Sequence, residues 1–477
     1  VPRVPGDDAR TTGRRRASRA VGPALLAVGA ILAAVLPVGV QVGAARPAAA
    51  ADAPAAGAPT TPYAVLPLFQ EGVAIGPDGA VVAVPAGTRP AFLDGTRVLD
   101  PELTNFGAVL DGGEVEHGTR EAHRLAKAQL AWLAAGSVPG AGGPFEDLSR
   151  TALLDLHTLL LPGGAMVAGW EDRWRYVWPR DAAFVAVAFA RTGHVDDALE
   201  VLDFLARAQH DDGGFEARYL PDGSGPPDDR TAQTDGQGWA MWAAGLVLAE
   251  LPPGPVRTVV AARLAPLVAR AVDGTTSLLT TTGLPPASPD YWERDEDELT
   301  LGTVAPLVAG LEQAVTVLAE AGDVERAERA RASALTVRTA TVETFGAAGF
   351  TRYADGADHD AAAAFVLAPF WQRPATGGRA AWLASAEAMR RPVGLAPAGE
   401  WRQDGVTWTP QTSLYAWVAA EQGDHARALA LLSAIDSHRT LTGSVPEKVL
   451  ADGRPAAVAP LTWSAACALL ALDALDP

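Results

Sequence analysis

Between Ser288 and Glu298 the chain reads Ser-Pro-Asp-Tyr-Trp-Glu-Arg-Asp-Glu-Asp-Glu, a run of carboxylates around two large rings, Tyr291 and Trp292. A merely solvated acidic loop has no use for those rings. A carboxylic acid set beside an aromatic surface and other carboxylates keeps its proton more readily and can deliver it to a leaving group. Glu293 is therefore a candidate catalytic acid. The plainer reading of the same stretch is an acidic helix N-terminus that complements the dipole of a helix starting near residue 301.

Four other segments mix aromatic and polar groups in the same way. In Tyr176-Val177-Trp178-Pro179-Arg180-Asp181 an Arg and an Asp stand at a helix start after a proline. They are either an N-cap with a salt-bridged neighbour or a pair that reaches hydroxyl groups, for which planar bidentate donors and acceptors are suited. Gln233 and Asp235, in Gln-Thr-Asp-Gly-Gln-Gly-Trp, either bind hydroxyls or cap the following helix. Trp401-Arg402-Gln403-Asp404-Gly405-Val406-Thr407-Trp408 again places charges among tryptophans, with Trp408 either core or binding platform. Glu447, after Pro446 and before Lys448, is ordinarily a surface carboxylate paired to its neighbour.

The elements that must position these groups are helices. Beyond Gly143 strand signals nearly vanish, and alanine- and leucine-rich amphipathic segments predict twelve helices, at about 147–160, 181–192, 195–209, 236–251, 255–279, 301–321, 323–345, 358–370, 379–391, 410–422, 424–436 and 461–474. Thr192-Gly193, Ala321-Gly322-Asp323 and Gln422-Gly423-Asp424 each read as a left-handed helix end running into the next N-cap. Such tight connections alternate with long ones at 210–235, 280–300, 392–409 and 437–460. Six hairpins closed into an all-α (α/α)6 toroid would collect the long loops on one face, around a pocket. An α-solenoid is the competing arrangement, but no regular sequence period supports one. Ahead of the toroid, residues 63–143 predict a small extension, with a hairpin around Pro77-Asp78-Gly79 and a helix near 115–135.

Composition bounds the partners. The net charge is -18, and residues 1–60, with seven Arg against three acidic residues, leave the remainder still more acidic. Such a body repels phosphate backbones and excludes nucleic acid, whereas neutral sugars are not repelled. The single cysteine, Cys467, excludes a disulfide framework and a multi-cysteine metal site, and its apolar helical surroundings read as a core thiol. Arg14, Arg15, Arg16 and Arg19 precede an uncharged apolar run from Val21 to Val40 and a small-residue segment to Ala51. This order predicts an export signal cleaved near Ala50 or Ala51, or a single membrane anchor of the same length, so that residues 1–51 place the body outside the cytoplasm. Residues 52–62 then read as an Ala/Pro linker, and 144–477 as the toroid.

The joint order of the motifs is more specific than any one of them. Tyr176…Trp178-Pro179-Arg180-Asp181, Gln233…Asp235…Gly238, Asp290-Tyr291-Trp292-Glu293, Pro446-Glu447-Lys448 and Leu461-Thr462-Trp463-Ser464 together resemble glycoside hydrolase family 15 over about residues 147–475. That is the family of glucoamylases and glucodextranases, which also contains some trehalases. The resemblance implies an (α/α)6 fold and an inverting hydrolase that releases glucose from α-linked glucans or oligosaccharides; no cofactor and no metal ligands are expected from the sequence, while bound calcium stays open. It implies Glu293 as general acid and Glu447 as general base, with Arg180, Asp181 and Arg402 holding the terminal sugar and Trp178, Tyr291, Trp292, Trp408, Gln233 and Asp235 around it.

The chain departs from the family in three places. The strand-rich extension is much shorter than the β-sandwich of bacterial members, Arg294 stands where fungal glucoamylases tend to have a second Glu, and the loop around Arg402 is abbreviated. In an inverting pair the two carboxyl groups stand roughly 6.5–9.5 Å apart. Trp292 and the nearby carboxylates are expected to keep Glu293 protonated, and Lys448 or Arg439 to keep Glu447 ionised. A non-catalytic sugar-binding protein and a glycoside phosphorylase are the alternatives; the second needs phosphate ligands and no base, so Glu447 argues against it. The linkage, α-1,4, α-1,6 or the α,α-1,1 bond of trehalose, stays open.

Overall fold

Short turns and long loops alternate through the helical part of the chain, and that alternation builds the ring. The computed structural model describes residues 66–103, 112–356 and 358–476. The export or anchor segment and the linker expected over 1–62 lie outside the described residues. The elements are β1 (Gln70–Ile75), β2 (Val81–Pro85), α1 (Gly112–Ala135), α2 (Glu146–Leu159), β3 (Leu160–Leu161), β4 (Ala165–Met166), α3 (Pro179–Arg191), α4 (Val195–Ala208), α5 (Asp235–Ala249), α6 (Pro255–Leu278), α7 (Leu301–Glu320), α8 (Val324–Phe345), α9 (Gly378–Ala388), β5 (Thr407–Trp408), α10 (Thr409–Glu421), α11 (His425–Asp436), β6 (Lys448–Val449), β7 (Pro455–Ala456) and α12 (Thr462–Leu475).

The inner ring closes on itself. α3 packs on α5, α5 on α7, α7 on a buried 3-10 segment at Ala361–Val366, that segment on α10, α10 on α12, and α12 back on α3. The outer ring is α4, α6, α8, α9 and α11, each against the inner element next to it in sequence, with α2 against α12. Inner helices such as α5, α10 and α12 are buried almost all round, as their uniformly apolar sequences require, whereas α4 and α8 keep a charged outer face. α7 is long and apolar enough to cross a membrane, but it is a buried stave of the ring. The expected (α/α)6 toroid is the fold observed.

One expected helix is not formed. Over residues 358–370, where the sequence predicts an α-helix, only the 3-10 segment Ala361–Val366 is helical. Asp360 is extended and its side chain accepts from the Ala362 N–H at 2.7 Å, which starts the segment late. Pro369 ends it early, since a proline lacks the donor and disfavours helix in the residue before it.

Turn chemistry behaves as expected at two of the three tight connections; at the other, Gly193 is left-handed, with φ of +86°, but His194 at the start of α4 makes no side-chain cap. Gly322 and Gly423 have φ of +85° and +71°, and the next residues, Asp323 and Asp424, accept from the N–H groups of Arg326 and Arg427 at 3.1 and 3.3 Å. Between α5 and α7 the backbones nearly touch: a Cβ on Gly310 would lie 2.4 Å from the Gly238 carbonyl oxygen.

The extension is fastened to one loop of the ring. β1 and β2 pair antiparallel around the Pro77-Asp78-Gly79 turn. Ahead of β1, the Phe69 N–H donates to the Ala457 carbonyl at 2.8 Å, and Gln70 Nε2 donates to the Ala459 carbonyl at 2.7 Å. Arg97, nearly fully buried, pairs with Asp155 of α2 at 2.6 Å and donates to the Thr442 carbonyl and Ser444 Oγ at 2.9 and 3.0 Å. The described residues from 66 onward accordingly form one compact unit.

Candidate active site

The long loops deliver their side chains to the N-terminal ends of the inner helices. There they converge on one small cavity, of about 110 Å³. Arg180 and Asp181 enter from the first turn of α3, Gln411 from α10 and Trp463 from α12, with Trp178 and Trp408 just ahead of α3 and α10. Tyr291 and Glu293 arrive from the loop before α7, and Glu447 from the loop before α12.

The cavity has a closed floor. Phe184 of α3 sits at the hub of an aromatic cluster, with ring centroids 5.0–6.0 Å from Trp239, Trp242, Phe370, Trp417 and Trp463. These rings fill the axis of the toroid, so a ligand enters from the loop face alone. The Arg180 guanidinium lies over Trp463 at 4.6 Å and pairs with Asp181 at 2.8 Å.

Several polar atoms of this lining are buried without a protein partner. They are Arg180 Nε and Nη1, the indole N–H groups of Trp178 and Trp463, Gln411 Oε1 and Glu447 Oε2. Buried polar groups are rarely left unpaired, and each such group asks for a reason. Four donors and two acceptors around one closed cavity match a ligand carrying several hydroxyls.

Glu447 is held by its backbone. Its N–H donates to the Val458 carbonyl at 2.8 Å, and its own carbonyl accepts from the Thr409 N–H at 3.0 Å, at the start of α10. The β5–β6–β7 sheet pairs Trp408 with Lys448, which sets the Trp408 ring beside the Lys448 ammonium. Lys448 Nζ lies 3.5 Å from Glu447 Oε1 and 3.9 Å from the centre of the Trp408 ring. Burial nonetheless pushes the Glu447 carboxyl up from its ordinary range; Lys448 opposes this, and the charges of Glu293 and Asp181 add to it. This corrects the expectation that a neighbouring cation dominates. Arg439 is not that cation, being committed to Asp147 and Asp436 at 2.9 and 2.8 Å.

Glu293 also sits in a different setting from the one expected. Its carboxylate is paired with Arg230 from the loop before α5, and Arg230 is shared with Asp228 at 3.2 Å. Trp292 packs instead against Trp401, edge to face at 4.7 Å, and under the Arg352 guanidinium at 4.3 Å. The Glu293 backbone has φ of +55°, with its N–H bonded to the Asp290 carbonyl at 2.8 Å.

Of the remaining expected residues, Trp178, Tyr291, Trp408, Arg180 and Asp181 line the cavity with the two glutamates. Arg402 does not. It is exposed and lines a groove on the other side of Trp408, over Trp401. Gln233 lines a cavity on the far side of Glu293, next to Arg230 and Thr231. Asp235 is buried in the first turn of α5 and accepts from the Trp239 indole at 3.0 Å; burial pushes its carboxyl up to about 7 against the pull of Arg180. Cys467 is fully buried, as read from its surroundings.

Arg230, Gln411 and Arg352 were not singled out from sequence. Each stands in an unremarkable local context; Arg230 and Arg352 find their carboxylate partners 63 and 62 positions away, and Gln411 faces the cavity. Among the described residues no group of three or more His, Cys, Asp or Glu is placed to hold a metal ion.

No family model and no curated protein matches the sequence. Solved structures do match the fold. A glycosidase in its wild-type form is 21% identical, with 69% of this chain and 96% of that one aligned at a TM-score of 0.58. A bacterial glucoamylase complexed with acarbose is 16% identical over 77% of this chain and 59% of that one, TM-score 0.58. The glucoamylase from Saccharomycopsis fibuligera is 14% identical over 69% and 94%, TM-score 0.55. The chain therefore has the (α/α)6 toroid fold that these glycosidases and glucoamylases share.

Proposed function

We propose that this chain is an inverting, exo-acting glycoside hydrolase that releases glucose from the non-reducing ends of α-linked glucans or oligosaccharides. Glu293 serves as general acid and Glu447 as general base. The observation that carries the reading is the closed cavity on which both carboxylates converge, lined by buried donors and acceptors without protein partners. The solved glycosidase supports it further. One of its variants is in complex with glucose, and two of its variants replace glutamates separated along the chain by nearly the same span as Glu293 and Glu447.

A terminal sugar fits against the closed floor, its hydroxyls met by Arg180, Asp181, Gln411 and the two indole N–H groups. Glu293, protonated in the complex, gives its proton to the glycosidic oxygen as the bond to the anomeric carbon breaks. Arg230 has Asp228 as a second partner to turn to when Glu293 takes up that proton. Glu447, ionised, removes a proton from the water that attacks the anomeric carbon from the opposite face. The products are the shortened chain and β-glucose, and Glu447 passes its proton to solvent.

Proton NMR of residues 61–477 with maltotriose, isomaltotriose and trehalose tests this within the first minutes of reaction. Early β-glucose identifies the linkage and the inverting course together, early α-glucose refutes the two roles, and no glucose from any substrate refutes the hydrolase. The proposal also places the ring outside the cytoplasm, on the basic, apolar and small-residue order of residues 14–51. Fractionation of expressing cells checks that placement.

A further inference from the structure

The acid loop is held from beneath by a side chain that never reaches the cavity. Arg352, just 1% exposed, is not among the cavity-lining residues. Its guanidinium grips Asp290 through two bonds, at 2.9 and 3.1 Å, and Glu296 at 2.7 Å. A fourth contact, at 3.2 Å, reaches Asp360, whose carboxylate also accepts from the Tyr291 hydroxyl of the cavity wall. The face of the guanidinium is covered by the Trp292 ring.

The spacing of these contacts gives them a consequence for Glu293. Asp290 and Glu296 lie three residues before and three residues after it, so one guanidinium fastens both ends of the segment that has the acid at its middle. Glu293 itself has a left-handed backbone, φ +55°, which an L residue with a Cβ adopts only where its surroundings impose it. The fastening supplies that imposition. Asp290 holds the turn through the Trp292 N–H at 2.9 Å and Thr300 Oγ1 at 2.7 Å, and Glu296 is fixed from its other oxygen by the Tyr353 hydroxyl at 2.8 Å.

We propose that Arg352 is the positioning residue for Glu293: by gripping Asp290 and Glu296 at once it sets the backbone turn that aims the acid at the glycosidic oxygen. The inference rests on the hydrolase reading above. Its effect falls chiefly on proton delivery, because Arg180, Asp181 and Trp178 stand on another part of the chain; Tyr291 is the cavity-lining ring that shares the fastened segment.

Leaving-group dependence separates this role from general support of the fold. A disaccharide needs its leaving oxygen protonated, whereas fluoride departs from α-glucosyl fluoride with little help from an acid. Arg352→Lys keeps the charge but loses the planar fork that reaches two carboxylates. On maltose or isomaltose, whichever the wild type cleaves, Arg352→Lys is expected to lower kcat about 10- to 100-fold, the scale of a misplacement of about 1 Å. KM for the disaccharide and kcat for α-glucosyl fluoride are expected to stay within about threefold, because neither depends on proton delivery.

Equal losses on both substrates, or a loss confined to KM, would overturn the assignment. If Arg352→Lys does not fold, Glu296→Gln, which weakens one end of the fastening, carries the same comparison with a smaller expected drop. Glu293→Gln is the reference, since it must show the same preference for the fluoride more strongly. Full disaccharide turnover by Glu293→Gln would sink the hydrolase roles themselves, an outcome distinct from failure of the Arg352 assignment.

Discussion

The buried pair Arg97–Asp155 joins the extension to the ring, and breaking it from one side is a sharp test of how that junction works. The two side chains are 4% and 1% exposed and 2.6 Å apart. Burial raises the Asp155 carboxyl more than Arg97 lowers it, so the pair gains little over an uncharged one while each charge depends on the other. Arg97→Met leaves Asp155 without its cation, which costs about 3–5 kcal/mol. The lost bonds to Thr442 and Ser444 add about 1 kcal/mol each. Asp155→Asn leaves the guanidinium buried and uncompensated, at about 3 kcal/mol. The double variant removes both charges and retains only the loss at Thr442 and Ser444, about 2 kcal/mol. Urea unfolding of the four proteins measures the cycle, with a coupling of several kcal/mol expected. A double variant as unstable as the sum of the singles would refute the reasoning. Because Thr442 and Ser444 belong to the loop that carries Glu447, folded Arg97→Met is also expected to lose about tenfold in kcat, as a shift of the base smaller than about 1 Å would cause.

Other outcomes follow from the same structure. Glu293→Gln and Glu447→Gln are each expected to lower kcat at least about a hundredfold, the low end for general acid–base catalysis, measured as glucose release. Glu447 works ionised, so its raised pKa places the acidic limb of kcat/KM above the ordinary carboxylate range, and Lys448→Met, which removes the opposing cation, is expected to move that limb to still higher pH. Asp235, pushed up to about 7, holds its proton more tightly folded than unfolded. Its contribution to stability is complete below about pH 4 and is lost as pH rises through 7, and Asp235→Asn should flatten the fall in melting temperature over that window. Gly310→Ala gains about 1 kcal/mol of helix propensity. It also drives a methyl into the Gly238 carbonyl at 2.4 Å, a rigid backbone contact. The net expectation is a loss of about 1–3 kcal/mol in urea unfolding.

Much of the ring was legible because its signals are local. Apolar periodicity marked the helices, and a glycine followed by an N-cap marked the tight turns, so the alternation of short and long connections already implied where the loops gather. The helix expected at 358–370 failed because an alanine-rich stretch has high propensity wherever it lies, while Asp360 is drawn away by Arg352 and Tyr291. The site was less legible than the fold. That Glu293 and Glu447 line one cavity is visible only once the ring is closed. Arg439 is eight positions from Glu447 in sequence yet pairs with Asp147, 292 positions away. Arg352 meets Asp290 across 62 positions, and Arg230 meets Glu293 across 63. The direction of the Glu447 shift depended on burial, which neighbours in sequence do not report.

The fastening of β1 to the loop before α12 also sets an order of events during synthesis. Gln70 bonds to Ala459 across 389 positions, and the ring itself closes only when α12 meets α3. Domains fold progressively as the chain emerges, and contacts of such long range form late. Until almost the whole chain has been made, the hairpin of β1 and β2 has no ring loop to dock on and Glu447 has no fixed place. From residue 293 onward the nascent chain thus carries its acid without a working pair of carboxylates, and the step that completes the fold is the step that completes the site.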